Sequence, residues 1–412
     1  MKKVLKFYQL ARWSLFLTLI ISCPVIAQTV EQKSLIIHAA RVFDGTMMRT
    51  DTSVWVEGGL ITKIAKREAD QIPGATVIDL GNATLLPGLI ELHAHLDYQH
   101  IPEDVVLKHG ITTLRDVGGP VHLPYGGDGR LRKLTSGLII TAANGYPISV
   151  MGADNIAVAV TTEQQARATV RELINGGAVI IKIALEPGGE IGAPWLAGHH
   201  HEKPEHVDHH HHHHQHMPQA KKAWPLLSLS IVKAIVDEAH LQGKKVTAHV
   251  AEAKGVSIAI KAGVDEWAHT PCNAIPKALL KRAIAQQVKM VSTLDTLSKC
   301  TGLAQNVSAW TALGGELLYG AEIGHSDIPW GIDAQELMAM KHQANLSVLD
   351  VLRSATSKAG EYLNIPLLGT LQAGAPADMI AVQGDPFESL KILEYPSFVM
   401  SGGKIILLAA ER

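Results

Sequence analysis

The sequence is short of net charge, of cysteine and of long apolar runs. A formal charge of -2 leaves no basic footprint for nucleic acid or an anionic membrane surface, so neither is expected as a partner. The apolar run Trp13 to Ile21 is too short to span a bilayer core of about 30 Å. Preceded by Lys2, Lys3, Lys6 and Arg12 and followed by Val25-Ile26-Ala27, it reads as a secretory signal peptide over residues 1–27, which places the mature protein in the periplasm or outside the cell. Ile20-Ile21-Ser22-Cys23 also has the form of a bacterial lipobox, so a lipoprotein anchored through Cys23 is the alternative. Once Cys23 leaves with the signal, only Cys272 and Cys300 remain. In an oxidising compartment they can pair; two unpaired buried cysteines are the equal alternative.

What is present is an ordinary globular composition, 47% hydrophobic and 18% charged. Residues 28–86 alternate in short β-like runs, Leu35 to Val42, Val54 to Val56, Leu60 to Ile64 and Thr76 to Ile78, about a Gly58-Gly59 turn. Residues 370–412 answer with Ala377 to Val382 and Phe398 to Ile406, which predicts a small β-sandwich domain assembled from both chain ends. Between them, over 87–369, strand-like runs alternate with helical stretches such as Glu163 to Ile174, Ser230 to Leu241 and Pro276 to Gln286. The strand runs are Leu89 to Leu92, Thr112 to Leu114, Leu138 to Thr141, Val179 to Ile181, Val246 to Ala248, Glu266 to Ala268, Met290 to Thr293 and Leu317 to Gly320. This is the pattern of an α/β chain folded as a (β/α)8 TIM-type barrel.

The chemistry gathers at the ends of those runs. Leu85-Leu86-Pro87-Gly88-Leu89-Ile90-Glu91-Leu92-His93-Ala94-His95 ends in two histidines one residue apart, and a strand's period of two sends both imidazoles from one face. Lys182, His249, His269 and Glu322 each close a later run. In a barrel those positions share the catalytic face, where such a set can hold a metal ion.

These residues resemble the amidohydrolase superfamily, in its imidazolonepropionase and prolidase-like branch. The likeness runs from Val42-Phe43-Asp44-Gly45 through the Pro-Gly-led His-x-His strand to Gly374-Ala375-Pro376-Ala377-Asp378 and Gly384-Asp385-Pro386. It implies a metal-dependent hydrolase of amide or other C–N bonds in dipeptides, N-acyl amino acids or cyclic amides. It further implies one or two divalent metals, Zn2+ first among them, on His93, His95, His249 and His269, with Lys182 bridging as a carboxylated lysine. An unmodified lysine there could instead pair with Glu186. The family usually ends its eighth strand in Gly-Thr-Asp, whereas this chain has Gly320-Ala321-Glu322. Glu322 is therefore expected as metal ligand and catalytic base, with Asp327 as the alternative base.

Arg115, Tyr146 and His325 are the substrate-binding candidates, for a carboxylate or carbonyl of a small or dipeptide-like molecule. Each has a structural alternative, and for Arg115 that is a barrel carboxylate or Asp116. From His199 to His216, eleven of eighteen residues are histidine, which suits metal capture by composition. A tolerated low-complexity loop is the even alternative. The rival to a hydrolase is a non-catalytic metal-buffering protein on an amidohydrolase scaffold.

Overall fold

Alternating runs at the start of the chain form strands β1 (Leu35–Phe43), β2 (Met48–Glu57), β3 (Leu60–Lys66), β4 (Thr76–Asp79) and β5 (Ala83–Pro87). They belong to a computed structural model that describes residues 34–67, 74–196 and 223–409. The expected signal peptide with Cys23 and the histidine tract lie outside the described residues. After β5 the chain passes through Gly88 into β6 (Leu89–Ala94). A Cβ at Gly88 would lie 2.0 Å from Thr112 Oγ1, so only glycine allows this crossing.

Nine further strands follow before the chain returns to the first sheet: β7 (Ile111–Asp116), β8 (Arg132–Thr135), β9 (Ile139–Thr141), β10 (Ala157–Ala159), β11 (Ile180–Ala184), β12 (Lys245–His249), β13 (Glu266–Trp267), β14 (Lys289–Val291) and β15 (Leu317–Leu318). Strands β6, β7 and β8 form one parallel sheet, and β10-β9-β11-β12-β13-β14-β15 another. Each expected run carries a strand. Strands β8 and β10 were not expected; Arg132-Lys133 disguises β8, because its buried lysine is held by Asp97 and Glu103 and so does not read as core. The two sheets meet where the Val179 amide donates to the Thr135 carbonyl at 2.9 Å. They meet again at a parallel bridge between Ala94 and Ile323, beside which the His95 amide donates to the Ile323 carbonyl at 2.7 Å.

The helices Glu163–Asn175, Leu229–Leu241 and Lys277–Ala285 lie within a residue of expectation at each end. The first begins where the Thr162 hydroxyl accepts the Gln165 amide at 3.1 Å, a cap that contributes about 1 kcal/mol. It buries Ala166, Val170 and Leu173, a stripe at helical spacing. Among the described residues no helix is long and apolar enough to cross a membrane. Cys272 and Cys300 are joined as a disulfide, which links the segments after β13 and β14 and answers the alternative left open above.

The last strands, β16 (Met379–Gln383), β17 (Phe398–Ser401) and β18 (Lys404–Leu408), rejoin the first sheet. Its order is β18-β17-β16-β5-β1-β2-β3, with β4 on β1. Both chain ends therefore contribute strands to it, around buried Ile37, Val54, Leu85, Met379 and Phe398. Seven of these strands hydrogen-bond along one path, and β4 branches from it at β1.

Candidate active site

Parallel strands carry the ligand-type residues to one place. His93 lies in β6 with His95 just beyond it, Lys182 lies in β11, and His249 ends β12; His269 and Glu322 follow β13 and β15. The imidazoles and Lys182 are buried. His93 Nε2 is 3.2 Å from His95 Nε2 and 3.4 Å from Lys182 Nζ. Glu322 places Oε1 3.7 Å from His95 Nε2 and Oε2 3.8 Å from His269 Nδ1. The rings of His93 and His269 are 4.3 Å apart, and those of His249 and His269 4.7 Å. His93, His95 and Glu322 offer ligand atoms within 4.8 Å of one another.

Burial holds all four imidazoles well below their ordinary pKa, with Lys182 adding to the effect. They are therefore neutral and present lone pairs. The ring Nδ1 of His93 lies 2.7 Å from the Ala268 carbonyl, so it carries the hydrogen and Nε2 faces the cluster as an acceptor. Burial pushes the Lys182 ammonium down and the Glu322 carboxyl up, the second shift opposed by Lys182 itself. His249 Nε2 and Glu322 Oε2 are buried and make no hydrogen bond. Neutral imidazole nitrogens crowded together beside an unsatisfied carboxyl oxygen are the donor set of a divalent transition metal, so the residues present fit such an ion.

The backbone beneath the cluster is tightly specified. A Cβ on Gly320 would lie 2.4 Å from Val291 Cγ1 and 3.1 Å from His93 Cβ, so the residue two before Glu322 has to be glycine. The Glu91 carboxyl, wholly buried, accepts the His93 amide at 2.7 Å and the Ala321 amide at 3.0 Å. Two non-glycine residues here have left-handed backbone, Glu322 at φ 67° and Thr293 at φ 43°. Such conformations cost about 1–3 kcal/mol each and concentrate at functional sites. Thr293 Oγ1 is 3.1 Å from His269 Nδ1.

A narrow pocket opens beside the cluster, lined by His95, Lys182, His249, His269 and Glu322 and by Tyr98, Ile139, Tyr146, Pro147, Met151, Ile156 and Ala184. Tyr146 thus reaches the site, its ring 4.7 Å from that of His249. His325 stands on the adjoining loop, where its amide donates to the Glu322 carbonyl at 3.0 Å. Asp327 is exposed and does not line the cavity.

Two expectations change. Arg115 does not line the cavity; it is buried and donates to both Glu266 oxygens, at 3.0 and 2.7 Å, and to the Leu92 carbonyl. Its charge is paired with Glu266 and it stands apart from the pocket lining, so it does not face a substrate carboxylate. Glu186 lies 3.3 Å from His249 Nε2 and so neighbours that imidazole, not Lys182. Burial and the adjacent Glu190 raise the Glu186 carboxyl. The sequence reading missed Glu91, Thr293, Tyr98 and Trp195, whose ring sits 4.6 Å from that of His249. Glu91 alone left a signal, as a lone acid inside an otherwise apolar strand.

The model of the Amidohydrolase family matches residues 84–407. Over 193 residues the chain is 28% identical to ochratoxinase of Aspergillus niger, an overlap of 42% of this chain and 40% of that one. The chain thus spans less than half the length of this curated relative. The crystal structure of A. niger ochratoxinase shares its fold at TM-score 0.71 and 21% identity, covering 92% of this chain and 97% of the other. A Xaa-Pro dipeptidase with methionine bound in its active site gives 0.72 at 22%, over 90% and 99%. A prolidase complexed with N-methylphosphonate-L-proline gives 0.70 at 21%, again over 90% and 99%. Likeness at these identities carries the fold, a TIM-type barrel domain.

Proposed function

The chain belongs to the amidohydrolase family, and from that premise we propose that it hydrolyses an amide or related C–N bond in a metal-dependent reaction. The observation that carries this reading is the convergence of four neutral imidazoles, Lys182 and Glu322 at the ends of parallel strands, beside a cavity. The contacts Val179–Thr135 and Ala94–Ile323 support closure of the two parallel sheets into one eightfold barrel over 87–369. The mixed sheet, folded over its own apolar cluster, is taken as the small sandwich domain.

His93, His95, His249 and His269 would hold one or two divalent cations, with Zn2+ compatible with their nitrogen donors. When bound, such cations polarise the scissile carbonyl and acidify a water. Lys182 would join them as a carbamate, its amine, which burial pushes toward the neutral form, bonding to the carbon of carbon dioxide and releasing a proton. Glu322 takes the proton as the water oxygen bonds to the carbonyl carbon, and returns it to the nitrogen as the C–N bond breaks. Burial raises its carboxyl toward the range in which one group can do both near neutral pH. The Cys272–Cys300 disulfide supports a compartment outside the cytoplasm, in line with the signal-like leader.

The test is metal analysis of the purified protein followed by a screen of dipeptides, N-acyl amino acids and cyclic amides. His93→Ala with His95→Ala should abolish hydrolysis and leave the fold intact, since both sit at a strand end. Undiminished turnover in that double variant would remove the reading.

A further inference from the structure

Glu186 neighbours the imidazole cluster but has no part in the reaction above. It lies just past the end of β11, where the Ala184–His249 register and a hydrogen bond from the Leu185 amide to the His249 carbonyl, at 2.9 Å, fix the two strands side by side. The chain then turns through Pro187-Gly188, and the Gly188 amide donates to Glu186 Oε1 at 2.7 Å. The other oxygen, Oε2, stands 3.3 Å from His249 Nε2. Both residues are buried, at 1% and 3% exposed. Neither of the two facing atoms makes a hydrogen bond. A second buried acid, Glu190, lies beside Glu186, and its Oε2 is likewise without a hydrogen bond.

An imidazole nitrogen and a carboxylate oxygen bound to one tetrahedral Zn2+ at about 2.0–2.2 Å lie about 3.3–3.5 Å apart. The separation of His249 Nε2 from Glu186 Oε2 is that of two such ligands. Buried polar atoms that face each other unbonded are costly, and a shared cation removes the cost for both. We propose that Glu186 is a metal ligand: its Oε2 and His249 Nε2 take one divalent cation together, at a position beside that of His93, His95 and Glu322, whose ligand atoms form a group of their own. The proposal rests on the metal-hydrolase reading. An oxygen ligand there suits Zn2+, Co2+ and Mn2+ alike, and so widens the range of cations beyond what imidazole alone selects.

The experiment takes the full chain as wild type, Glu186→Gln and Glu186→Asp, strips it of metal and titrates it with Co2+, counting bound metal by mass spectrometry and recording the visible absorption of cobalt. The histidine tract is common to all the proteins compared, so its cations cancel. Glutamine keeps the shape of the side chain and an oxygen that accepts hydrogen bonds, but it is a poor metal ligand. Glu186→Gln should therefore weaken one tightly held cobalt by more than about 100-fold, beyond the roughly 10–100-fold given by losing a group that only orients a ligand, and should change the cobalt spectrum. Glu186→Asp should fall between. Anomalous diffraction from zinc-loaded wild type checks the position without a variant, and a zinc within about 2.2 Å of both Glu186 Oε2 and His249 Nε2 is expected. A loss below about 100-fold with the spectrum unchanged, or no zinc shared by the two residues, overturns the proposal, while cleavage in the substrate screen leaves the hydrolase reading standing. A cation held by Glu186 in a protein that cleaves none of the screened amides keeps the proposal and removes the hydrolase reading.

Discussion

The Glu91 carboxyl accepts the Ala321 amide at 3.0 Å across 230 residues of sequence, while also accepting the His93 amide at 2.7 Å. One side chain thereby ties the strand that supplies His93 and His95 to the strand end that supplies Glu322. Glu91→Leu leaves two buried amides without an acceptor, at about 1–3 kcal/mol each. Zinc affinity should fall by about 10–100-fold, the usual effect of losing a group that orients ligands. Urea unfolding and zinc titration check the two effects; unchanged zinc affinity in a folded variant would confine Glu91 to a structural role.

Glu322→Gln retains the shape of the side chain and loses the base, so turnover should drop by about 10²- to 10⁴-fold. Asp327→Asn, altering an exposed residue outside the cavity, should be mild. Glu322→Asp restores the residue usual in the family and reports whether the site has adapted to the longer side chain: a fall in turnover means that it has. A harmless Glu322→Gln alongside a dead Asp327→Asn would transfer the base to Asp327.

Arg115→Ala strands Glu266 as an unpaired acid in the core, since the two side chains are 2% and 0% exposed. Breaking such a pair costs about 3–5 kcal/mol. Denaturant unfolding should show that loss. A selective rise in KM at unchanged stability would return Arg115 to substrate binding.

Burial raises the Glu336 carboxyl to about 8, against the stabilising influence of the Leu294 and Asp295 amides and of Ser292. A carboxyl raised in the folded state binds more protons there than in the unfolded chain. Its contribution to stability is therefore complete below the ordinary glutamate value of 4.5 and is lost as pH rises through about 8. Within that window Glu336→Gln should flatten the decline of unfolding free energy with pH by up to about 1.4 kcal/mol per pH unit. Urea midpoints at pH 5 and pH 8 measure it, and an unaltered slope would exclude Glu336 as the source.

Chelation should lower thermal stability if the imidazole cluster holds metal in the folded state alone. At free metal one hundred times the dissociation constant, that linkage is worth about 2.7 kcal/mol. Melting curves with and without zinc check it in wild type and in the His93→Ala, His95→Ala variant, which should show a clearly smaller shift.

What the sequence disclosed was local. A strand's period places His93 and His95 together, and helices with apolar stripes such as Ala166, Val170 and Leu173 announce themselves over a dozen residues. What it concealed was pairing at a distance. Glu266 meets Arg115 from 151 residues away and Glu91 meets Ala321 from 230, and neither partner is marked by its neighbours in sequence. Strand β8 was hidden for a related reason, as Lys133 looks exposed until Asp97 and Glu103 are brought to it. Trp195 escaped because an aromatic residue in a single 3-10 turn gives no sign of which imidazole it will meet.

The first sheet is begun by β1 to β5 and completed by β16 to β18, with Ala83 to Pro87 paired against Gln383 to Met379. During synthesis Val42 and Leu85 leave the ribosome long before Met379 and Phe398, the residues that share their apolar cluster, have been made. For most of translation the nascent chain therefore carries an uncapped β edge, an invitation to aggregation that chaperones have to cover. A premature stop codon anywhere ahead of β16 would make that exposure permanent, even in a product that keeps every ligand-type residue.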